Sequence, residues 1–202
     1  MIKNILFDLG NVLLDQKTID VSVYLSNLFN IPFNDSNIFY KKYEIDVEKG
    51  NISFEKLISL YKNKFNNKKP SNLLIDEYQK LYIKDIYGIN YYLINFIKKA
   101  SKKYSIYIMT NILSPHYNHW KEFNRDKYFK RIFRSYVDHF YKPEKKAYIF
   151  VLNELNSKPG ECVLIDDLKA NVQGAISAGL EGIVYKNNDQ LFIDLEKIGV
   201  KI

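Results

Sequence analysis

The fold of this chain is decided by residues 2–13, which read Ile2-Lys3-Asn4-Ile5-Leu6-Phe7-Asp8-Leu9-Gly10-Asn11-Val12-Leu13. Residues 2–7 are apolar except at Lys3 and Asn4, and an apolar run of this length predicts a short buried strand. Asp8 follows directly and begins a polar turn that continues to Asn11. The sequence therefore predicts a carboxylate at the end of a buried strand.

Strand-like and helical segments alternate through the second half of the chain. We predict helices over residues 91–103, 144–155 and 170–178. We predict strands over residues 104–109, 131–136, 162–165 and 182–185. Strands that alternate with helices form a parallel sheet covered by helices on both faces, so the predicted fold class is α/β.

The stretch from about residue 17 to residue 88 has helical spacing throughout. Ser53 is typical of a helix N-cap, and Pro70 and Gly88 bound a further helix. The apolar residues that carry the spacing are Ile19, Val23 and Leu28, then Phe54, Leu57, Ile58 and Tyr61, then those between Leu73 and Ile86. We therefore predict a core made of residues 1–16 and 89–202, with a small all-helical cap, residues 17–88, inserted after the first strand.

The composition excludes a disordered tail and a disulfide scaffold, since 47% of the 202 residues are hydrophobic and 26% are charged. The single cysteine, Cys162, allows no intrachain disulfide and is expected to be a small core residue. Asp8 interrupts the first apolar run, and the longest apolar runs are far shorter than the roughly 18 residues of a membrane span. We expect a cytoplasmic protein with no membrane partner.

The net charge of +7 is concentrated between residues 61 and 149. Much of it is carried by lysine pairs at predicted helix ends, where cations interact favourably with the helix dipole, so solvated helix faces explain it. Attraction of an anionic ligand or polymer is the alternative, and it leaves open a nucleic-acid-binding or protein-binding module. The aromatic–glycine pattern of an RNA-binding sheet is absent from the sequence, which disfavours nucleic acid as a partner. The oligomeric state stays open.

Polar residues follow the predicted strands at their carboxyl ends: Asp8, Thr110-Asn111, Lys142 one loop later, and Asp166-Asp167. Ligands of open parallel sheets bind beyond these ends, where the winding of the chain reverses. Each of these residues alone could cap a turn or a helix. Their joint occurrence at one edge of the sheet indicates a functional crevice that contains carboxylates, a hydroxyl and an ammonium group.

At these positions the chain resembles the haloacid dehalogenase-like hydrolase superfamily over its whole length. The four motifs of that superfamily correspond to Phe7–Leu13, Met109-Thr110-Asn111, Lys142-Pro143-Glu144 and Leu164-Ile165-Asp166-Asp167. The first motif, the segment Glu48–Ser53, and His116 and Trp120 are similar to a branch of small sugar-phosphate phosphatases. The resemblance implies a Rossmann-like sheet with a helical cap that covers the site.

The resemblance also implies a nucleophile and a metal. Asp8 would attack phosphorus and form an aspartyl-phosphate intermediate. Mg²⁺ would be held by hard oxygen ligands from Asp8, the backbone carbonyl of Gly10 and Asp167. Asp166 would stand beside these ligands and orient either Lys142 or a water of the metal.

The remaining positions of the resemblance imply a phosphate site. Thr110, Asn111 and Lys142 would bind the phosphoryl oxygens, and Lys142 would offset the charge that grows in the transition state. His116 would contact the substrate. The expected partner is a small phosphorylated metabolite, sugar phosphates above all, and a cap of this size favours small substrates over polymers.

The chain departs from the superfamily at Gly10. Most of its phosphatases carry a second Asp there, which protonates the leaving group, and losing a general acid costs about 10²- to 10⁴-fold in rate. Three interpretations stay open: a phosphatase with a water or another side chain as acid, a catalytically weakened protein that binds phosphometabolites or other partners, and a 2-haloacid dehalogenase. The pair Asp166-Asp167 disfavours the last, since a metal-free dehalogenase has no use for clustered carboxylates.

Two further histidine positions have more than one interpretation. His139 stands where the similar branch has Gly, and it is either a surface or packed residue or a substitute acid. His116 and His119 could lie on one helix face, but the sequence offers no Cys or third His that would complete a zinc site with them.

Overall fold

The computed structural model describes residues 1–17 and 20–201, so Ile19 of the first predicted helix lies outside the described residues. These residues form seven strands: β1 Asn4–Phe7, β2 Leu14–Gln16, β3 Ile86–Ile89, β4 Ser105–Thr110, β5 Arg131–Arg134, β6 Cys162–Asp166 and β7 Glu181–Val184. They also form eleven α-helices: α1 Val21–Phe29, α2 Phe33–Lys41, α3 Glu44–Glu48, α4 Phe54–Lys64, α5 Ser71–Ile83, α6 Tyr91–Ala100, α7 Ser114–Glu122, α8 Ser135–Asp138, α9 Lys145–Glu154, α10 Lys169–Ser177 and α11 Asn188–Lys197. Within the described part of the chain, no helix is long and apolar enough to cross a membrane.

Five strands form one parallel sheet in the order β5-β4-β1-β6-β7. In the central strand, β1, Leu6 pairs with Tyr107 of β4 on one side and with Leu164 of β6 on the other. All four residues of β1 are buried, which explains why the strand reads as a short apolar run. The chain winds from β1 through β4 to β5, then crosses to β6 and β7, so the winding reverses at β1. This topology confirms the predicted α/β class with a Rossmann-like sheet.

Alternate residues of β1 enter two different hydrophobic cores, as the period of two in a strand requires. Ile5 and Phe7 pack in a core to which α6, α7 and α11 contribute. Leu6 packs in a second core with residues of α9 and α10. Helices therefore cover both faces of the sheet, and its carboxyl edge is where a ligand can approach β1.

The helices between β2 and β3 share a hydrophobic core of their own, in which Leu25, Tyr61 and Tyr78 are fully buried. Ser53 caps α4 as predicted, because its side chain accepts a hydrogen bond from the backbone N–H of Lys56 at 3.2 Å. The limits of the cap at residues 17 and 88 stay a prediction.

The strand predicted over residues 131–136 is wrong at its end. It stops at Arg134, and Ser135 begins the short helix α8. The hydroxyl of Ser135 is buried and accepts a hydrogen bond from the backbone N–H of Ile112 at 3.0 Å. A buried serine with a backbone partner in another segment is a tertiary feature that strand propensity does not reveal.

The helix predicted between Leu73 and Ile86 is also too long. It ends at Ile83, and Ile86–Ile89 forms β3, which pairs antiparallel with β2. These two strands have 4 and 3 residues, too few for an alternating pattern to distinguish a strand from a frayed helix end.

Candidate active site

Asp8 lies at the carboxyl end of β1, where the winding reverses. Its backbone N–H donates to the carbonyl of Ile165 at 2.8 Å, which continues the pairing with β6 beyond the strand. Asp8 is only 8% exposed, and its Oδ1 accepts no hydrogen bond from any described residue, although Nζ of Lys142 is 3.0 Å away. Apart from this ion pair, the buried carboxylate oxygen has no donor among the described residues, so it is a candidate for chemistry.

Lys142 lies in the loop before α9, with its side chain fully buried. Its Nζ donates to the carbonyl of Met109 at 3.0 Å and to Oδ2 of Asp166 at 2.6 Å. Burial alone would lower the pKa of Lys142, but the carboxylates of Asp166 and Asp8 outweigh burial and hold it above its ordinary value. The side chain is therefore a fixed positive charge beside Asp8.

Asp166 ends β6 and has both carboxylate oxygens engaged. Oδ1 accepts from the backbone N–H of Leu168 at 2.9 Å and from Nδ2 of Asn171 at 3.0 Å. Oδ2 accepts from Lys142 and, at 3.1 Å, from the same Asn171 amide. These contacts agree with the expectation that Asp166 orients Lys142.

Asp167 completes an acidic group at this edge. One carboxylate oxygen from each of Asp8, Asp166 and Asp167 lies within 4.8 Å of the others. Oδ2 of Asp167 also accepts a hydrogen bond from Nδ2 of Asn11 at 3.2 Å. Such a group can hold a metal ion, and carboxylate oxygens are the ligands that Mg²⁺ prefers.

The electrostatics of the site favour a cation. Burial, together with the charges of Asp166 and Asp167, raises the pKa of Asp8 from 3.8 to about 7 in spite of the opposing effect of Lys142. Burial also raises the pKa of Asp167, with Asp166 adding to the effect and the hydrogen bond from Asn11 opposing it. Three carboxylates thus face one ammonium group, and a divalent cation would offset the excess negative charge.

Thr110 and Asn111 stand at the end of β4, but their side chains behave differently. Thr110 is buried and lines the cavity beside Asp8. The side-chain amide of Asn111 is hydrogen bonded to the backbone of Lys142. Nδ2 donates to the Lys142 carbonyl and Oδ1 accepts from the Lys142 N–H, both at 2.9 Å. The structure therefore shows a positioning contact for the Asn111 side chain, and its predicted contact with substrate stays a prediction.

A cavity of about 180 Å³ opens beside Asp8. Of the polar residues predicted at the strand ends, Asp8, Thr110, Asn111 and Asp167 line the cavity, whereas Lys142 and Asp166 do not. Among the described residues, the charged side chains in its lining are the carboxylates of Asp8 and Asp167. The rest of the lining includes Gly10, Leu14, Gln16, Tyr82, Ile112 and His116. A larger cavity of about 720 Å³ lies between α6 and α11, away from every one of these residues.

His116 reaches this cavity from α7, and its contact with substrate stays a prediction. Its ring stacks on Tyr82 with 3.8 Å between ring centroids, and its Nε2 is hydrogen bonded to the hydroxyl of Tyr78 at 2.9 Å. Burial lowers the pKa of His116 to about 3, so the imidazole is neutral at physiological pH. His119 turns away and pairs with Glu122 at 3.0 Å.

The segment Glu48–Ser53 contacts the loop that carries Lys142. Nζ of Lys49 pairs with Glu144 at 2.8 Å, and the carbonyl of Lys49 is 2.8 Å from Nδ1 of His139. His139 has a left-handed backbone, φ 56°, a conformation that glycine adopts without strain. Because His139 is exposed and outside the cavity lining, the packed or surface interpretation fits it better than a substitute acid.

Three residues of the site were not predicted from the sequence. Gln16 of β2 and Tyr82 of α5 line the cavity, and Tyr78 is the hydrogen-bond partner of His116. Tyr82 is 66 residues away from its hydrogen-bond partner Gln16. No local pattern connects such residues. The amide of Asn171, five residues after Asp166, holds the carboxylate of that residue.

The family model described as haloacid dehalogenase-like hydrolase matches residues 2–179. The chain therefore belongs to the haloacid dehalogenase-like hydrolase family, which confirms the resemblance to that superfamily, while the resemblance to the sugar-phosphate phosphatase branch stays a prediction.

Two curated relatives match parts of the chain. A chloroplast flavin mononucleotide hydrolase of Arabidopsis thaliana is 31% identical over 108 residues, which cover 51% of this chain and 42% of the relative. A sesquiterpene phosphatase of Aspergillus oryzae is 30% identical over 80 residues, covering 39% of this chain and 41% of the relative. The matches thus span less than half the length of these relatives.

A solved structure matches nearly all of the chain. It is a haloacid dehalogenase family enzyme from Bacteroides thetaiotaomicron in complex with magnesium and inorganic phosphate, with a TM-score of 0.77 at 21% identity. The alignment covers 95% of this chain and 100% of that one. At this identity the likeness establishes the fold.

Proposed function

We propose that this protein is a Mg²⁺-dependent phosphatase that hydrolyses small phosphate monoesters, sugar phosphates above all. The observation that carries the proposal is the buried Oδ1 of Asp8, which accepts no hydrogen bond from any described residue and lies beside Lys142. Membership of the hydrolase family supports it. The names of the two curated relatives, a flavin mononucleotide hydrolase and a sesquiterpene phosphatase, support phosphate esters as substrates.

Asp8 supplies the attacking atom in this mechanism. One of its carboxylate oxygens bonds to phosphorus while the ester oxygen departs with the bonding electron pair and gains a proton. Water then attacks the phosphorus of the aspartyl-phosphate, which releases inorganic phosphate and restores the carboxylate. Lys142, held in place by Asp166 and by the carbonyl of Met109, offsets the charge on the phosphoryl oxygens.

The acidic group supplies the ligands for a metal ion. Asp8 and Asp167 fit Mg²⁺ as hard oxygen donors, and the carbonyl of Gly10 is proposed as a third ligand. Asp166 is less suited to direct ligation, because Lys142, Leu168 and Asn171 already use its oxygens. When bound, the cation offsets the repulsion between the carboxylate of Asp8 and a dianionic phosphate.

The cavity supports a small substrate with one phosphate. Its volume of about 180 Å³ is below the roughly 300–1,000 Å³ of typical ligand pockets. His116 is neutral, and Gln16 and Tyr82 offer polar but uncharged groups. A second phosphate would find no cation in this lining among the described residues, whereas the hydroxyl groups of a sugar would find hydrogen-bond partners.

A phosphometabolite-binding protein with weakened catalysis is the second candidate, and Gly10 is the observation that favours it. Because residue 10 is Gly, the segment that follows β1 carries no carboxyl group two residues after Asp8 that could protonate the leaving group. Such a protein would bind phosphorylated ligands at the same site but turn them over slowly or not at all.

A phosphate-release screen separates the two candidates. Purified protein is incubated with a panel of sugar, polyol and aryl phosphates, with Mg²⁺ and with EDTA in its place. We expect release that requires Mg²⁺ and that exceeds the rate of heat-denatured protein. Release from none of the esters, together with Mg²⁺-dependent binding of inorganic phosphate, would instead favour the binding protein.

A further inference from the structure

The space in front of Gly10 is filled by the side chain of Gln16. A Cβ built on Gly10 would lie 2.8 Å from Nε2 and 3.5 Å from Cδ of Gln16. Any side chain at residue 10 would therefore point at this amide. Gln16 thus stands where an acidic side chain two residues after Asp8 would end.

The amide presents its Nε2 to Gly10, and a hydrogen bond from the cap side engages its other end. The hydroxyl of Tyr82 donates to Oε1 of Gln16 at 3.2 Å, and the ring of Tyr82 is itself held by stacking on His116. Because Oε1 is turned toward Tyr82, the NH₂ group is turned toward Gly10. The backbone of Gln16 is held as well, since it ends β2 and pairs with Ile86 of β3.

The amide lines the same small cavity as Asp8 and Thr110. We propose that Gln16 is a specificity-determining residue whose Nε2 donates a hydrogen bond to the ester oxygen of the bound phosphate monoester. This inference rests on the phosphatase function proposed above and names the group that meets the leaving oxygen.

The chemistry of an amide limits what Gln16 can do for that oxygen. When the phosphorus–oxygen bond breaks, the electron pair stays on the ester oxygen. The amide N–H stabilises it by a hydrogen bond but transfers no proton, so the proton comes from water. A phenolate is stable without a proton, whereas a sugar or glycerol alkoxide needs one early. Gln16 therefore supports the departure of an alkoxide only in part, and a sugar phosphate is hydrolysed more slowly than an aryl ester because its proton has to come from water.

Two substitutions test this role. Gln16→Glu keeps the shape and adds a group that can transfer a proton, and Gln16→Met keeps the length and removes the donor. The matched control is Gln173→Glu, the same change on the exposed face of α10. Each protein is assayed for kcat/KM with p-nitrophenyl phosphate and with glycerol 3-phosphate at saturating Mg²⁺ from pH 5 to pH 8, and its fold is checked by circular dichroism melting.

We expect wild-type protein to prefer the aryl ester by about 10²-fold or more. Gln16→Glu should reduce that preference at least about tenfold by raising turnover of glycerol 3-phosphate, with a new loss of rate as the pH rises and the carboxyl ionises. Gln16→Met should lower turnover of glycerol 3-phosphate about three- to tenfold, the effect of one lost hydrogen bond. Gln173→Glu should match wild type on both esters.

Other outcomes overturn the inference in distinguishable ways. Equal effects of Gln16→Glu on both esters without a new pH dependence, or wild-type kinetics in Gln16→Met, would overturn the role of Gln16 and leave the phosphatase function standing. Wild-type protein that releases phosphate from neither ester would overturn the phosphatase function, and this inference with it.

Discussion

The side-chain amide of Asn111 makes two hydrogen bonds to the backbone of Lys142. Its Nδ2 donates to the Lys142 carbonyl and its Oδ1 accepts from the Lys142 N–H, both at 2.9 Å. The two residues are 31 positions apart, since Asn111 follows β4 and Lys142 lies in the loop before α9. The clamp fixes the loop from which the Lys142 side chain reaches Asp8 and Asp166. Asn111 therefore acts on the site through Lys142.

Asn111→Ala should loosen that loop. We expect kcat to fall about tenfold or more while KM changes less, because a displaced ammonium group mainly costs transition-state stabilisation. Steady-state kinetics on any ester that the screen identifies would measure the split. Asn153→Ala on the exposed face of α9 is the control and should match wild type. A KM effect alone would indicate instead that Asn111 contacts substrate directly.

Asp167→Asn should weaken metal binding, because the amide keeps the hydrogen-bonding size but loses the charge of a proposed Mg²⁺ ligand. We expect the Mg²⁺ concentration for half-maximal activity to rise about tenfold or more, with activity partly restored by excess Mg²⁺. Calorimetric titration of Mg²⁺ gives the same comparison without substrate. Asp35→Asn, an exposed change in α2, should leave both values unchanged. An unaltered Mg²⁺ requirement in Asp167→Asn would remove this residue from the metal site.

Gly50 sets how closely the cap approaches the core. Its φ is +72°, and a Cβ at this position would lie 2.0 Å from the carbonyl oxygen of Tyr136. Gly50→Ala should therefore lower the free energy of unfolding by about 2 kcal/mol or more through strain and overpacking.

Gly160 provides the matched control for Gly50, since its φ is +75° and a Cβ there would meet nothing within 4 Å. Gly160→Ala carries the backbone strain without the clash and should cost only about 1 kcal/mol. Denaturant unfolding of both variants isolates the clash. Equal losses of unfolding free energy in the two variants would show that the backbone at Tyr136 shifts to accommodate a Cβ at residue 50 without cost.

Glu48 should make stability depend on pH. Burial raises its pKa from 4.5 to about 7, with Glu44 adding to the effect and the hydrogen bond from Tyr40 opposing it. Between these values the folded state binds a proton that the unfolded state has released, so the free energy of unfolding falls as the pH rises from 4.5 to 7.

Glu48→Gln removes that titration and should be more stable than wild type at pH 8, by on the order of 1 kcal/mol. The difference between the two proteins should vanish below pH 4.5. Comparing variant with wild type at each pH cancels the opposite trend from His116, whose lowered pKa makes unfolding easier as the pH falls below 6.5. Glu55→Gln, an exposed change in α4, should show no such crossover. A pH-independent difference for Glu48→Gln would contradict a raised pKa.

The strand ends could be predicted from the sequence because one physical rule relates them. Carboxyl ends of parallel strands share one edge, so Asp8, Thr110 and the pair Asp166-Asp167 had to meet once their strands were recognised. The Ser53 cap was predictable for a local reason, since its partner is three residues away.

The contacts that refine the site could not be predicted in the same way. Gln16 meets Tyr82 across the short β2–β3 pairing, and neither strand is long enough to show its period. Lys49 and Glu144 are 95 residues apart and meet only because the cap packs on the core. Such contacts follow from the packing of whole elements, which no local pattern encodes.

The most direct test of the account is to find the phosphoryl group on Asp8. Wild-type protein turning over p-nitrophenyl phosphate with Mg²⁺ is quenched in acid, and its peptides are analysed by mass spectrometry. We predict a hydroxylamine-labile phosphoryl group on the peptide that contains Asp8, with neither label nor phosphate release in a folded Asp8→Asn variant. A phosphoryl group on another residue, or wild-type turnover by Asp8→Asn, would contradict the account.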